Sequence, residues 1–179
     1  MTSVVLSIGS NLGDRMAHLQ SVVDGLGDTV TAVSPVYETD AWGGVEQGAF
    51  LNAVVLADDS TCDAYGWLRR AHELEDAAQR VREQRWGPRT LDVDLVVVHD
   101  GSDEAGVEVT VDDDVLTLPH PYAHVRAFVL MPWLAVDQEA TLTVAGRPTG
   151  VEKLLAAVDP AERAGVRRTG HVLRFGAAS

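Results

Sequence analysis

The amino-acid sequence predicts an α+β fold: a ferredoxin-like β-α-β-β-α-β core with an antiparallel sheet, helices packed on it, and further segments added at the C-terminus. Three observations predict it. Four short β-branched runs are bounded by glycine, proline or asparagine, two longer segments carry apolar residues at helical spacing, and these six pieces follow one another in that order. At 179 residues and 46% hydrophobic content, the chain has the size of one domain, residues 1–179, with a real core.

Residues 4–8 form the first strand, closed by a tight turn at Gly9-Ser10-Asn11. Asp14 caps a helix whose apolar face is Met16, Leu19, Val22, Val23 and Leu26, and Gly27-Asp28 ends it. Residues 30–39 read as one strand, with Pro35 marking an edge or a bulge. The glycine-bearing stretch 40–48 is a loop, and residues 50–56 are the next strand. Ser60 or Thr61 caps a second helix with Leu68, Ala71, Leu74 and Ala78 on one face. Trp86-Gly87-Pro88 imposes a loop, after which residues 90–98 form the fourth strand. The acid-rich stretch 101–114 is a surface excursion with a hairpin around 107–111. Residues 121–136 predict a third helix, interrupted or ended near Pro132. A small strand at 141–144, a short helix at 151–158 and a closing strand at 171–175 complete the chain.

Charge and composition exclude several classes. A formal net charge of -13 argues against nucleic acid as a partner, since such proteins present a basic face. No apolar run approaches the ~18 residues that span a membrane. The opening MTSVVLSIGSNLGD lacks a basic leader and reads as a strand, not a signal peptide. The single cysteine, Cys62, allows no internal disulfide and fits a reducing compartment, so the expected location is cytoplasmic. Lys153 is the one lysine; the other positive residues are arginines, whose planar forks suit phosphate oxygens.

The chemistry gathers in residues 80–99, RVREQRWGPRTLDVDLVVVH. Asp92 and Asp94 alternate with Leu91, Val93, Leu95 and Val97, so both acids share one strand face while the apolar set lines the other. Two such charges repel by ~3 kcal/mol at an effective dielectric of ~20. A solvated edge relieves that repulsion, and so does a divalent cation held by hard carboxylate oxygens. Arg80 and Arg82 fit the end of a helix, where cations complement the dipole. Arg85 and Arg89 lie in the loop beyond it, and beside a metal-competent acid pair they suit a polyphosphate. No glycine-rich phosphate loop of the G-x-x-x-x-G-K-[ST] kind occurs, so arginines and metal would have to do its work. Asn52 lies mid-strand, where its amide either closes an internal backbone bond or reads the edge of a heterocycle. Phe50, two residues earlier, shares its face. Phe50, Trp86 and Phe128 are either core or ligand platforms, and His120, between Pro119 and Pro121 with Arg126 six residues on, is either structural or part of a site.

GSNLGDR, SPVYET followed by a glycine-rich loop, FLNAV, RWGPRTLDVDL, and LPHP followed by Arg126-Ala127-Phe128 occur in this order over roughly residues 3–137. In them the chain resembles the 6-hydroxymethyl-7,8-dihydropterin pyrophosphokinases (HPPK) of folate biosynthesis. RWGPRTLDVDL carries most of the specificity. The resemblance implies transfer of diphosphate from MgATP to the hydroxymethyl group of 6-hydroxymethyl-7,8-dihydropterin, with release of AMP. It implies that Asp92 and Asp94 hold two Mg²⁺ ions, that Arg80 and Arg89 stabilise charge on the transferred group, and that Arg82 reaches the phosphates. It implies that Glu75, Trp86, His120 and Arg126 line the nucleotide site. Phe50 and Phe128 would sandwich the pterin, with Asn52 and the Thr39-Asp40 segment reading its edge. The enzyme is expected to be a monomer. His72, Ala41, Pro121, Tyr122 and Val115 depart from the family pattern without touching the acid pair or the central arginines. A ferredoxin-like binding module without catalysis, for instance one reading nucleic acid, and another Mg²⁺-dependent phosphotransferase on the same scaffold remain as alternatives at this point. Convergence of Phe50, Asn52 and Phe128 on one flat cavity separates the pterin enzyme from the latter.

Overall fold

The computed structural model describes residues 1–40, 48–78, 90–101 and 106–176. Among them the chain runs β1 (Thr2–Ser10), α1 (Arg15–Leu26), β2 (Val30–Val33), β3 (Tyr37–Thr39), β4 (Phe50–Asp59), α2 (Ala64–Ala78) and β5 (Asp92–Asp100). After the core follow β6 (Val107–Glu108), β7 (Val111–Asp112), β8 (Thr117–Leu118), α3 (Ala127–Val136), β9 (Thr141–Val144), β10 (Arg147–Gly150), α4 (Val151–Ala157), α5 (Pro160–Ala164) and β11 (Val166–Arg168). The main sheet is ordered β11-β3-β4-β1-β5-β6, with β2 also on β4, and every pair is antiparallel. The predicted β-α-β-β-α-β core is therefore present, flanked by C-terminal additions. No helix among the described residues is long and apolar enough to cross a membrane.

Alternation along the strands divides the interior into two layers. Leu6, Ile8, Leu51, Ala53, Val55, Leu91, Val93 and Leu95 pack under α1 and α2 against Leu19, Val22, Val23, Trp67 and Ala71. Val5, Tyr37, Val54, Val96 and Val97 face the other way, against Ala127, Val129, Leu130 and Trp133 of α3 and Val151 of α4. Each fully buried valine, leucine or isoleucine among them contributes ~1.5–3 kcal/mol. Asp14 caps α1 as predicted, accepting from the Ala17 N–H at 3.1 Å.

Several expectations are corrected. Gly9 and Ser10 are not a turn: both belong to β1 and pair with β4, and Gly9 also pairs with β5. The strand at 30–39 splits in two because Pro35 has no N–H to give; the Ser34 hydroxyl bridges the gap by accepting from the Val54 N–H at 2.8 Å. Asp63, not Ser60 or Thr61, caps α2, accepting from the Gly66 N–H at 2.7 Å, while Thr61 bonds to Asp59. Val97 does not share a face with Leu95. The β1–β5 register shifts between Val5 and Leu6, so Val96 is an inserted residue and the alternation flips beyond it. No hairpin forms around 107–111: β6 pairs with β5 and β7 with β8. Tyr65 donates to Asp113, and the Val109 N–H to the Val98 carbonyl at 2.8 Å, so the described part of the acidic stretch packs on the body.

The third helix begins at Ala127, after a 3-10 turn at Ala123–Val125, and it continues through Pro132. The proline removes one helical hydrogen bond, to the Phe128 carbonyl. Burial of Ala127, Val129, Leu130, Pro132 and Trp133 outweighs that loss, as befits a helix apolar on all sides. Residues 171–175 are not a strand. They cross α1, where Gln20 donates to the Arg174 carbonyl at 2.7 Å and accepts from its N–H at 3.0 Å, and Leu173 plugs the core. The last strand is β11, which extends the sheet beside β3.

Candidate active site

The site follows from register. Across β5, β1, β4 and β3, Asp92 stands opposite Gly9, Gly9 opposite Asn52, and Asn52 opposite Tyr37. One step along the strands, Asp94 stands opposite Ser7; Thr39 stands opposite Phe50. Paired residues share a face, and this is the face that carries α3. The acid column and the Asn52 column lie two strand spacings apart, about 10 Å, so one small ligand can touch both. Gly9 keeps the floor between them open. A Cβ there would sit 3.0 Å from the Asn52 Oδ1 and 3.7 Å from the Phe50 ring.

The resulting cleft, ≈ 240 Å³, is lined by Thr39, Asp40, Phe50, Asn52, Asp92, Asp94, Arg126 and Phe128 among the residues named from sequence. Its floor adds Ser7 and Gly9, which sequence reasoning passed over. Asn52 is 4% exposed and its Nδ2 donates to the Thr39 hydroxyl at 2.8 Å, which fixes the amide plane and turns its oxygen toward Gly9. The Arg126 guanidinium lies over the Phe128 ring at 5.7 Å and the Tyr122 ring at 5.5 Å, so it caps the aromatic end with positive charge.

His120 reaches the edge of this arrangement through the Val96 insertion. The extra residue's carbonyl accepts from the His120 N–H at 2.8 Å, and the preceding Leu118–Pro119 bond is cis. The ring Nδ1 accepts from the Tyr122 N–H at 3.1 Å, which leaves the neutral ring's proton on Nε2. Burial pushes the imidazole below its ordinary value of 6.5; the Asp94 carboxylate opposes that and Arg126 adds to it. The Glu75 carboxylate accepts from the Val93 N–H at 3.1 Å, between α2 and the start of β5, at the residue that separates Asp92 from Asp94. Arg80, Arg82, Trp86 and Arg89 fall outside the described residues, as do Arg85, Ala41, Gly43 and Gly44.

Asp40 has a partner from the C-terminal part. Arg167 of β11 grips both its carboxylate oxygens, at 2.9 and 3.4 Å, and also touches Glu38 at 3.4 Å. Hydrogen bonds and charge from Arg167 lower the Asp40 carboxyl below its ordinary 3.8. No sequence motif signals this pairing, because only the β3–β11 register brings residues 40 and 167 together. Ser7 was legible only as strand filler and Gly9 only as part of a turn; their role appears once β1 is seated between β4 and β5.

Asp92 and Asp94 offer hard oxygen donors on one face. Among the described residues, no group of three or more histidine, cysteine or carboxylate side chains is placed to enclose a metal ion. That donor set fits Mg²⁺, which binds through one or two carboxylates and keeps water and phosphate oxygens as its other ligands.

Comparison with known proteins agrees with this geometry. Residues 5–138 match the family model of 7,8-dihydro-6-hydroxymethylpterin-pyrophosphokinase (HPPK). The chain is 65% identical over 168 residues to the 2-amino-4-hydroxy-6-hydroxymethyldihydropteridine pyrophosphokinase of Mycobacterium tuberculosis, covering 93% of this chain and 89% of that one. The protein of the same name from Mycobacterium leprae is 61% identical over 177 residues, covering 98% and 93%. Among solved structures, a Plasmodium falciparum HPPK-DHPS double mutant with pterin and p-hydroxybenzoate aligns over 93% of this chain with a TM-score of 0.62. At 12% identity that likeness speaks for the fold, and this chain spans 47% of that longer one.

Proposed function

The chain belongs to the 7,8-dihydro-6-hydroxymethylpterin-pyrophosphokinase family, and on that premise we propose how its cleft carries out the family's reaction. The enzyme is a diphosphotransferase of folate biosynthesis that takes ATP and 6-hydroxymethyl-7,8-dihydropterin. The pterin hydroxyl attacks the β-phosphorus of ATP, the bond from that phosphorus to the bridging oxygen of the α-phosphate breaks, and AMP leaves. The nucleophile comes with the substrate, so the protein needs no serine or cysteine nucleophile; its work is placement and charge.

The observation that carries the residue roles is the meeting of the acid pair with Phe50, Asn52 and Phe128 in one cleft. In this reading the pterin ring lies between Phe50 and Phe128. The Asn52 amide, held by Thr39, reads its edge, and the Thr39-Asp40 segment closes that side. Asp92 and Asp94 hold two Mg²⁺ ions, which when bound would neutralise both the carboxylate pair and the ATP phosphates. Arg126 and His120 line the nucleotide side, with Trp86. Glu75, bonded to the Val93 N–H, supports this side by fixing the strand that bears the acids. Arg80 and Arg89 stabilise charge on the transferred group and Arg82 draws the phosphates in. A neutral imidazole at His120 suits a hydrogen bond to the nucleotide without adding a charge that pH would remove.

The cleft draws on strands from residue 7 to residue 94 and on Arg126 and Phe128, which supports a single catalytic domain over residues 1–179; a monomer is the assembly this reading takes. The lone cysteine supports a cytoplasmic setting. The direct test supplies MgATP and the dihydropterin and identifies the nucleotide product. AMP is expected; ADP would mean a simple kinase and contradict diphosphate transfer.

A further inference from the structure

Ser7 is 6% exposed, yet it lines the cleft. It stands opposite Asp94 in the β1–β5 ladder and opposite Val54 in the β1–β4 ladder. Its neighbours Leu6 and Ile8 point into the layer under α1 and α2, so its hydroxyl points to the cleft side. Ser7 makes no side-chain hydrogen bond to any other described residue, and its oxygen is not sealed from the cleft. A hydroxyl that meets no protein partner and faces a cleft is completed there by a ligand or a water. Val54 on one flank is apolar, and Gly9, two residues along, has no side chain. The residue directly opposite Ser7 on β5 is Asp94, on the same face, with about 5 Å between the Cβ atoms of a directly opposed pair.

We propose that Ser7 is a further ligand-contacting residue of this site, its hydroxyl donating to an oxygen that a divalent cation holds at Asp94. The inference rests on the reading of Asp92 and Asp94 as cation ligands. The oxygen belongs to a coordinated water when the cation is bound alone, or to an ATP phosphate when the nucleotide is present; the chemistry of the contact is the same. β1 thus contributes a donor at the junction of the acid column and the pterin column, where the diphosphate must pass.

The test is Mn²⁺ titration, read by the loss of the free-ion electron paramagnetic resonance signal, on the intact protein, Ser7→Ala, Ser7→Cys and Asp94→Asn. Each is measured with Mn²⁺ alone and with Mn²⁺ plus a non-hydrolysable ATP analogue. Removing the hydroxyl is expected to weaken Mn²⁺ binding about three- to tenfold, the worth of one such hydrogen bond. Ser7→Cys, which keeps the branching with a slightly larger atom and a weaker donor, moves the same way. Pterin affinity without metal stays unchanged, which a mere packing defect would not allow. A loss already seen with Mn²⁺ alone identifies the water as acceptor, and a loss confined to the analogue identifies the phosphate. Unchanged Mn²⁺ affinity of Ser7→Ala in both arms, with Asp94→Asn still impaired, overturns the role of Ser7. Full Mn²⁺ affinity in Asp94→Asn overturns the cation reading itself, and this proposal with it.

Discussion

Asp94 and Gly9 show how much single residues decide here. Asp94→Asn keeps the side chain's shape and removes its charge. Turnover is expected to fall by at least about a hundredfold, measured as AMP released, because the charge matters most where phosphate charge develops. The metal-free melting temperature should not fall, since the substitution removes a like-charge repulsion from Asp92. A fall in stability equal in weight to the loss of turnover would mean that Asp94 is structural. Gly9→Ala acts by shape alone: the new methyl meets the Asn52 Oδ1 at 3.0 Å, and either the amide or the strand must give. If the amide gives, the bond to Thr39 is lost and pterin affinity drops about tenfold, or about 1.4 kcal/mol. Binding titration with the dihydropterin reads this, and unchanged affinity would remove Gly9 from the site. The acids were legible in the sequence because alternation alone puts residues 92 and 94 on one face. The role of Gly9 was not, because a glycine after a strand reads as a turn until both neighbouring strands are in place.

Two elements owe their effect to irregularity or to late arrival. The Val96 insertion in β5 flips the alternation, sends Val97 to the α3 side and leaves a carbonyl for the His120 N–H. A strict period of two could not anticipate that, since a bulge is written in the partner strand as much as in its own. β11, from the least diagnostic part of the sequence, brings Arg167 to Asp40. Arg167 holds the folded-state pKa of Asp40 below 3.8, so the pair's contribution to stability is full above that pH and is lost as pH falls through the folded value. Arg167→Ala should therefore melt below the parent protein at pH 6, with the gap shrinking toward zero as pH drops through and below 3.8. A gap that persists unchanged at pH 3 would show that Arg167 acts by packing, not by charge.

At the scale of the whole molecule, the sheet divides labour between its two faces. One face, under α1 and α2, is sealed and apolar; the other is closed by α3 and α4 at one end and left open as the cleft at the other. The core order was legible because six segments carry clear periods, whereas the C-terminal tail carried too short an apolar pattern to tell a strand from an extended segment held by a glutamine side chain. Leu173 makes that tail part of the body. Leu173→Ala should cost about 2–3 kcal/mol, the lower part of the range for buried leucine near a surface, read as a lower urea midpoint. An unchanged midpoint would mean that the tail is not docked on α1. The account depends most on the cation site and the aromatic slot sharing one cleft. Crystals grown with Mn²⁺, a non-hydrolysable ATP analogue and the dihydropterin test it most directly through anomalous diffraction. The expected result is Mn²⁺ at Asp92 and Asp94 with the pterin ring between Phe50 and Phe128; manganese peaks away from those carboxylates, or a pterin seated outside that slot, would contradict it.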